Sequence, residues 1–282
     1  MKNLIILYGL PNGGKYSWES LNKVILNSGN YDLAVVIPQN LNLPQNILSK
    51  INYVWTLDES NNFINFCKKN NYQDAYTKLN RNIDTGLFPS GLISFISKDI
   101  VLNEYENLNN KYDYLVFTRF DNYFLFNNLE FQGENLWIVN GEDYGGINDR
   151  FVAVHNSLIK KSFNIMSYIN QPTTNVDGLN CEQVWLEYLK NEKLDKKIYR
   201  FDRSFFLIAN KSDKTNWRKA IYKLYLFKDS FIKYPDEFIE ASYNFINKYG
   251  KLLFIFSKFP ISVNYYYLTL RRFLGSIKEK YE

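Results

Sequence analysis

The chain has 282 residues, a mass of 33.5 kDa and a net charge of +5; it is 46% hydrophobic and 22% charged. That composition excludes disorder as the main state, and the length is ample for a core without disulfide or metal staples. Two cysteines and one histidine exclude a disulfide framework, a four-cysteine or histidine-rich zinc site, and any mechanism that needs two histidines.

Residues 3–10 are a near-continuous apolar run, predicted as a buried parallel strand. The run is too short for a signal peptide and no segment approaches the roughly 18–20 apolar residues of a membrane span, so a cytoplasmic location with reduced thiols is expected. Pro11-Asn12-Gly13-Gly14 reads as a loop, and Ser17 as the cap of a helix running to about Asn27 and stopped by Gly29. Residues 32–37, stopped by Pro38, and 52–57 are the second and third strands. Strand, helix, strand with short connections is the signature of an α/β domain.

Residues 61–70 and 72–80 have helical patterning, and 91–109 are an amphipathic helix with Leu92, Phe95, Ile96, Ile100 and Leu108 broadly on one face. Strands follow at 113–118, 136–139 and 152–154, helices at 158–169 and 182–194, and edge strands at 198–201 and 205–208. Beyond Lys211 the pattern is mostly helix. The expected fold is a mixed, mainly parallel sheet flanked by helices, over a domain spanning 1–210, with a helical, basic and aromatic extension over 211–282.

Charge is uneven along the chain. Residues 211–282 hold 14 Lys/Arg against 7 Asp/Glu, whereas 1–210 hold 20 against 22. The tail also holds Trp217, Tyr222 and the run Tyr265-Tyr266-Tyr267. Basic plus aromatic character suits an anionic membrane surface and a peripheral location, with a plain solvated helical bundle as the alternative. The slightly acidic body argues against nucleic acid as a partner.

Gly9 to Tyr16 matches the phosphate-loop pattern G-x-x-x-x-G-K but ends in Tyr16 where that loop needs Ser or Thr for Mg²⁺. The turn could still touch a nucleotide through backbone amides, as strand-end turns of α/β sheets do.

Two segments carry the chemistry. A strand runs into Arg119, and Asp121 emerges just past its carboxyl end, where open α/β sheets bind ligands. A lone carboxylate beside an arginine suits Mn²⁺ or Mg²⁺ bridging a diphosphate, or alternatively a structural Arg–Asp pair. The second segment runs from Gly141 through Gly145, Gly146, Asn148, Asp149 and Arg150 to His155. Its glycines permit close approach of backbone to ligand, and its amide and carboxylate could pair with sugar hydroxyls, or could simply make a tight turn. His155, closing an apolar alternation, reads as structural.

In succession these segments resemble bacterial and viral glycosyltransferases of the GT-A type that build capsules and surface polysaccharides. The resemblance rests on Gly9-Leu10-Pro11, Ser20-Leu21, Tyr105-Glu106, Tyr112-Asp113, Arg119-Phe120-Asp121, Gly145 through Phe151, and Glu182 opening a later helix. It implies a GT-A-like (Rossmann-like) fold and transfer of a sugar from a nucleotide-diphosphate sugar, UDP or GDP favoured, to a hydroxyl of a glycan or lipid-linked acceptor. It implies nucleotide-sugar contacts from Gly9, Pro11, Asn12, Arg81, Arg119, Asp121, Gly145, Gly146 and Asn148, with the metal on Asp121. Asp149 is the first candidate for the catalytic base and Glu182 the second. Competing readings are a kinase or sulfotransferase using Gly9–Lys15, and a non-enzymatic glycan-binding protein.

Overall fold

The computed structural model describes residues 2–28, 31–39, 41, 43, 45–57, 63–79, 90–108, 111–210, 225–227, 229–258 and 261–281. In chain order the elements are β1 (Asn3–Tyr8), α1 (Gly14–Val24), β2 (Tyr31–Pro38), α2 (Gln45–Leu48), β3 (Tyr53–Leu57), α3 (Phe63–Lys69), α4 (Gln73–Leu79) and α5 (Ser90–Tyr105). Next come β4 (Tyr114–Arg119), β5 (Asn122–Phe124), β6 (Leu136–Val139), β7 (Phe151–His155), α6 (Ile159–Phe163), α7 (Ile165–Asn170), α8 (Cys181–Asn191), β8 (Ile198–Phe201) and β9 (Phe205–Asn210). The rest is β10 (Tyr225–Phe227), β11 (Ser230–Ile232), α9 (Pro235–Tyr249), α10 (Lys251–Ser257) and α11 (Ile261–Tyr281).

The chain divides into two compact units. One comprises Met1–Leu10, Asn30–Arg119 and Glu130–Phe201; the other comprises Pro11–Gly29, Phe120–Leu129 and Asp202–Glu282. This partition differs from a single cut near 210. The segments that follow β1 and β4 leave the first unit and carry α1 and β5 into the second. There the Phe124 amide donates to Ser20 Oγ at 3.0 Å, and β5 pairs antiparallel with β9.

The first unit is α/β, as the strand–helix–strand pattern implies. Its seven-stranded sheet has the order β3-β2-β1-β4-β7-β6-β8. Only β7 runs antiparallel to its neighbours; the other pairings are parallel. Continuous apolar runs suit such strands, because both faces are buried. Leu4, Ile6, Ala34 and Val36 join Leu92, Phe95 and Ile96 of α5 and Val184 and Trp185 of α8 in the main core. Ile5, Leu7, Leu33 and Val35 on the opposite face are buried too. The helix expected over 158–169 is broken into α6 and α7 at Asn164, whose ψ of 31° leaves the helical range.

The second unit holds an antiparallel sheet, β10-β11-β9-β5. Phe206, Ile208 and Ile232 of that sheet pack on Phe238, Ala241 and Phe245 of α9, and on Phe254, Ile261 and Leu268 beyond it. The expectation of a mostly helical tail holds for α9–α11 but misses β10 and β11. The segment expected as an edge strand at 205–208 is instead interior, between β11 and β5. Pro235 at the first turn of α9, with Asp236 and Glu237 beside it, starts that helix as proline and acidic residues do. Buried Arg203 ties it to the sheet through Glu240 at 3.0 Å and Glu237 at 3.4 Å. Among the described residues no helix is long and apolar enough to cross a membrane.

Candidate active site

Because β1 to β4 are parallel, their carboxyl ends share one edge of the first sheet, where ligands of open α/β sheets bind. Gly9, just past β1, takes φ +86°, a conformation glycine adopts without penalty. With Leu10, Pro38, Leu57, Phe66, Ile93 and Ile96 it lines an apolar slot of about 60 Å³. Arg119 ends β4 opposite Tyr8 of β1. Since β7 is antiparallel, its first residue Phe151 pairs with Thr118 near the end of β4. That register brings the 141–150 loop to the same edge.

The loop is tightly self-bonded. Gly141, Glu142, Tyr144 and Gly145 all have positive φ, and two of these are not glycine. Left-handed backbone at such residues costs about 1–3 kcal/mol each and collects at functional sites. Asp143 Oδ1 accepts from the Asn148 amide at 2.9 Å and from Arg200 at 2.9 Å. Asn148, 1% exposed, donates Nδ2 to the Gly141 carbonyl and accepts from the Arg150 amide. Its side chain shapes the loop through these bonds. The Arg150 guanidinium lies over the Tyr144 ring, 5.6 Å from the centroid.

Asn180 caps α8 in a reciprocal capping box with Gln183 and donates Nδ2 to the Tyr144 carbonyl at 2.8 Å. The Ile147 amide donates to the Glu182 carbonyl at 3.2 Å. The loop therefore lies directly on the start of α8. A Cβ on Gly146 would fall inside the Glu182 carbonyl group. Gly146→Ala is expected to cost about 1–3 kcal/mol, read by urea unfolding, because the obstacle is backbone and cannot rotate away. Gly146 thus serves backbone packing. Gly91, at the start of α5, likewise has no room for a Cβ, which would overlap Cys181 Cβ and Sγ.

These close approaches gather Asp149, Cys181, Glu182 and Lys98. Asp149 is 7% exposed, with its carbonyl accepting from Tyr8 Oη at 3.4 Å. Glu182 has its pKa raised, first by burial and then by the charge of Asp149. Burial, and then the two carboxylates, push the Cys181 thiol up to about 12. Lys98 is fully buried, donates to Ser94 Oγ at 2.7 Å, and sits 4.5 Å and 4.6 Å from the Phe117 and Trp185 ring centroids. Burial lowers its pKa to about 8 against the opposing pull of Asp149. Beside Gly145, a polar cavity of about 340 Å³ opens between Tyr168, Gln183, Glu187 and Lys190.

The remaining predicted residues are placed otherwise. Pro11, Asn12 and Asp121 belong to the second unit, whereas Gly9, Arg119, Gly145, Gly146, Asn148, Asp149 and Glu182 belong to the first. Arg81 lies outside the described residues, as do Trp217 and Tyr222. Ser17 does not cap α1: the helix begins at Gly14, and Ser17 Oγ donates to the Gly14 carbonyl at 2.9 Å. The phosphate-loop look-alike is packed rather than open. A Cβ on Gly13 would meet Ser17 Oγ at 2.8 Å and Asp121 Cα at 3.2 Å, and one on Gly14 would meet Asn210 at 2.8 Å. Lys15 Nζ lies 4.9 Å from its neighbour Tyr16's ring centroid.

Asp121 is 1% exposed, and its Oδ2 accepts from Lys233 Nζ at 2.6 Å, with that side chain also 1% exposed. A divalent cation on this oxygen would compete with the lysine. At the ~2.1 Å of a Mg²⁺–oxygen bond it would stand against an ammonium already bonded to the same oxygen. Among the described residues no group of three or more His, Cys, Asp or Glu side chains is placed to hold a metal ion. His155 is structural as expected: its Nδ1 accepts from the Ser157 amide at 3.3 Å and its ring meets Tyr114 edge-on.

Lys98 and Lys233 were not singled out in the sequence. Lys98 had a signal, since it lies three residues from both Phe95 and Val101 on the buried stripe of α5. Lys233 had none, because its partner is 112 residues away.

No protein-family model and no characterised protein sequence matches the chain. Among the solved structures that are similar at a low level are two glycosyltransferases. A glycosyltransferase involved in the glycosylation of the major capsid of PBCV-1 shares 11% identity at a TM-score of 0.39, over 72% of this chain and 82% of that one. The glycosyltransferase GlyE of Streptococcus pneumoniae TIGR4 shares 12% identity at 0.40, over 71% of this chain and 45% of that one. This chain thus matches less than half the length of the second structure. A likeness of this size assigns no function.

Proposed function

We propose that this protein is a GT-A-type glycosyltransferase that moves a sugar from a nucleotide-diphosphate sugar to a hydroxyl of a glycan or lipid-linked acceptor in surface-polysaccharide synthesis. The observation that carries the reading is the Asp149–Glu182 pair at the carboxyl edge of a mainly parallel sheet, on the same edge as the apolar slot at Gly9. The ordered succession of Gly9-Leu10-Pro11, Arg119-Phe120-Asp121 and the Gly145–Phe151 stretch supports it.

The pair suits an inverting displacement. The acceptor oxygen bonds to the anomeric carbon while the bond to the diphosphate oxygen breaks, and the diphosphate leaves with the electron pair. The hydroxyl proton passes to a carboxylate. Glu182 is the stronger base of the two roles on offer, because burial and the Asp149 charge raise its pKa toward neutrality. Asp149, beside the Lys98 ammonium, supplies that charge.

Turnover of UDP-, GDP-, CMP- and dTDP-sugars tests the reading, with Mn²⁺ and with chelator. Glu182→Gln is expected to lower turnover at least about 100-fold, the usual share of a general base. Asp149→Asn removes the negative neighbour, so the acid limb of the pH–rate profile should move to lower pH. Wild-type turnover in both variants would sink the assignment.

A further inference from the structure

The second unit ends in helices that leave much of their apolar surface uncovered. In α10 only Phe254 is buried, whereas Phe256 is 80% exposed and Leu252 is 72% exposed, with Leu253 and Ile255 also outward. In α11, Ile261 and Leu268 face the core, while Val263, Tyr266, Tyr267 and Leu270 are exposed. Their spacing of three, four and seven residues makes a second apolar stripe on the outer side of that helix. Large apolar surfaces of this kind mark contact sites.

Charge identifies the occupant. Residues 241–278 contain no Asp or Glu, and the described cations there are Lys248, Lys251, Lys258, Arg271 and Arg272, the last paired with Asp236. A second copy of this chain docking on the same face would set those cations against their own kind, since a two-fold contact pairs a patch with itself. An anionic lipid surface offers headgroups to the cations and acyl chains to Leu252 and Phe256, with tyrosines at the boundary.

We propose that α10 and the outward stripe of α11 form an interfacial anchor that seats this protein on an anionic bilayer. The anchor lies in the second unit and does not depend on the reaction assigned to Asp149 and Glu182. Flotation of the full chain with phosphatidylcholine vesicles, alone or with about 30% phosphatidylglycerol, tests it. Partitioning should be at least about tenfold stronger on the anionic vesicles, and should weaken about tenfold when salt is raised from about 50 to about 500 mM. The double variant Leu252→Asp/Phe256→Asp should lose about tenfold or more with an unchanged melting temperature, because both side chains stand in solvent. Equal recovery from all vesicles, or none, overturns the proposal. So does a concentration-dependent dimer, seen by light scattering, that the double variant abolishes while flotation is absent.

Discussion

Asp121→Ala is expected to lower unfolding free energy by about 3–5 kcal/mol, the usual cost of stranding one partner of a buried ion pair. Both side chains are 1% exposed and bonded at 2.6 Å, so removing the carboxylate leaves an ammonium with neither water nor counter-charge. At roughly 2–4 °C per kcal/mol, the melting temperature should fall by about 10 °C. Lys233→Met alone should also destabilise, because it removes the ammonium bonded to the buried Oδ2. The double variant Asp121→Leu/Lys233→Met should recover most of the loss, since two apolar groups of similar volume need no partner. A metal-ligand role for Asp121 makes the opposite forecast. The metal-free protein would then keep its melting temperature, and only stabilisation by added Mn²⁺ would disappear. Thermal unfolding of the four proteins, with and without Mn²⁺, separates the two.

What the sequence disclosed follows from how local each signal was. Apolar runs place β1, β2, β4 and β6 within a residue or two, because strands buried largely on both faces leave little room for polar residues. The helix read from Glu182 starts one residue earlier, at Cys181. β5 escaped because three residues carry no periodicity; β9 makes it a strand from 83 positions away, as in the pairing of Tyr123 with Phe206. The division into units escaped for the same reason. Nothing near Pro11 or Phe120 shows that the chain has changed partners there.

At the candidate site the residue types were legible and their uses were not. Gly146 announced a close approach, but what approaches is the Glu182 carbonyl rather than a ligand. Asn148 announced hydrogen bonding, which its own loop absorbs. Asp121 stood at the right place along the chain for a metal, and a distant lysine took its oxygen. In each case the competing partner is brought by the fold.

The second large effect concerns Lys98. Its ammonium is wholly buried among Phe95, Phe117 and Trp185, with Ser94 Oγ as its acceptor and Asp149 and Cys181 as the ionisable groups facing it. Burial lowers its pKa from 10.5 to about 8. At about 1.4 kcal/mol per tenfold change, that difference costs about 3 kcal/mol wherever both folded and unfolded chains carry the proton. Lys98→Met is therefore expected to stabilise the protein by about 2–3 kcal/mol at pH 7, since methionine matches the length and packs well on rings. The sign with pH follows from proton counting. Between about 8 and 10.5 the unfolded chain holds the proton that the folded chain has released, so raising pH favours folding. The wild type should thus close the gap to Lys98→Met across that window and match it above. Comparing the two proteins by urea unfolding at each pH cancels the tyrosines that titrate nearby. A gap that stays constant with pH, or a variant less stable than wild type, would refute the assignment. A lysine this costly persists in a core where it serves something other than stability, and here its charge faces Asp149. Lys98→Met should accordingly gain stability and lose turnover together, a trade found where strained groups serve an active site.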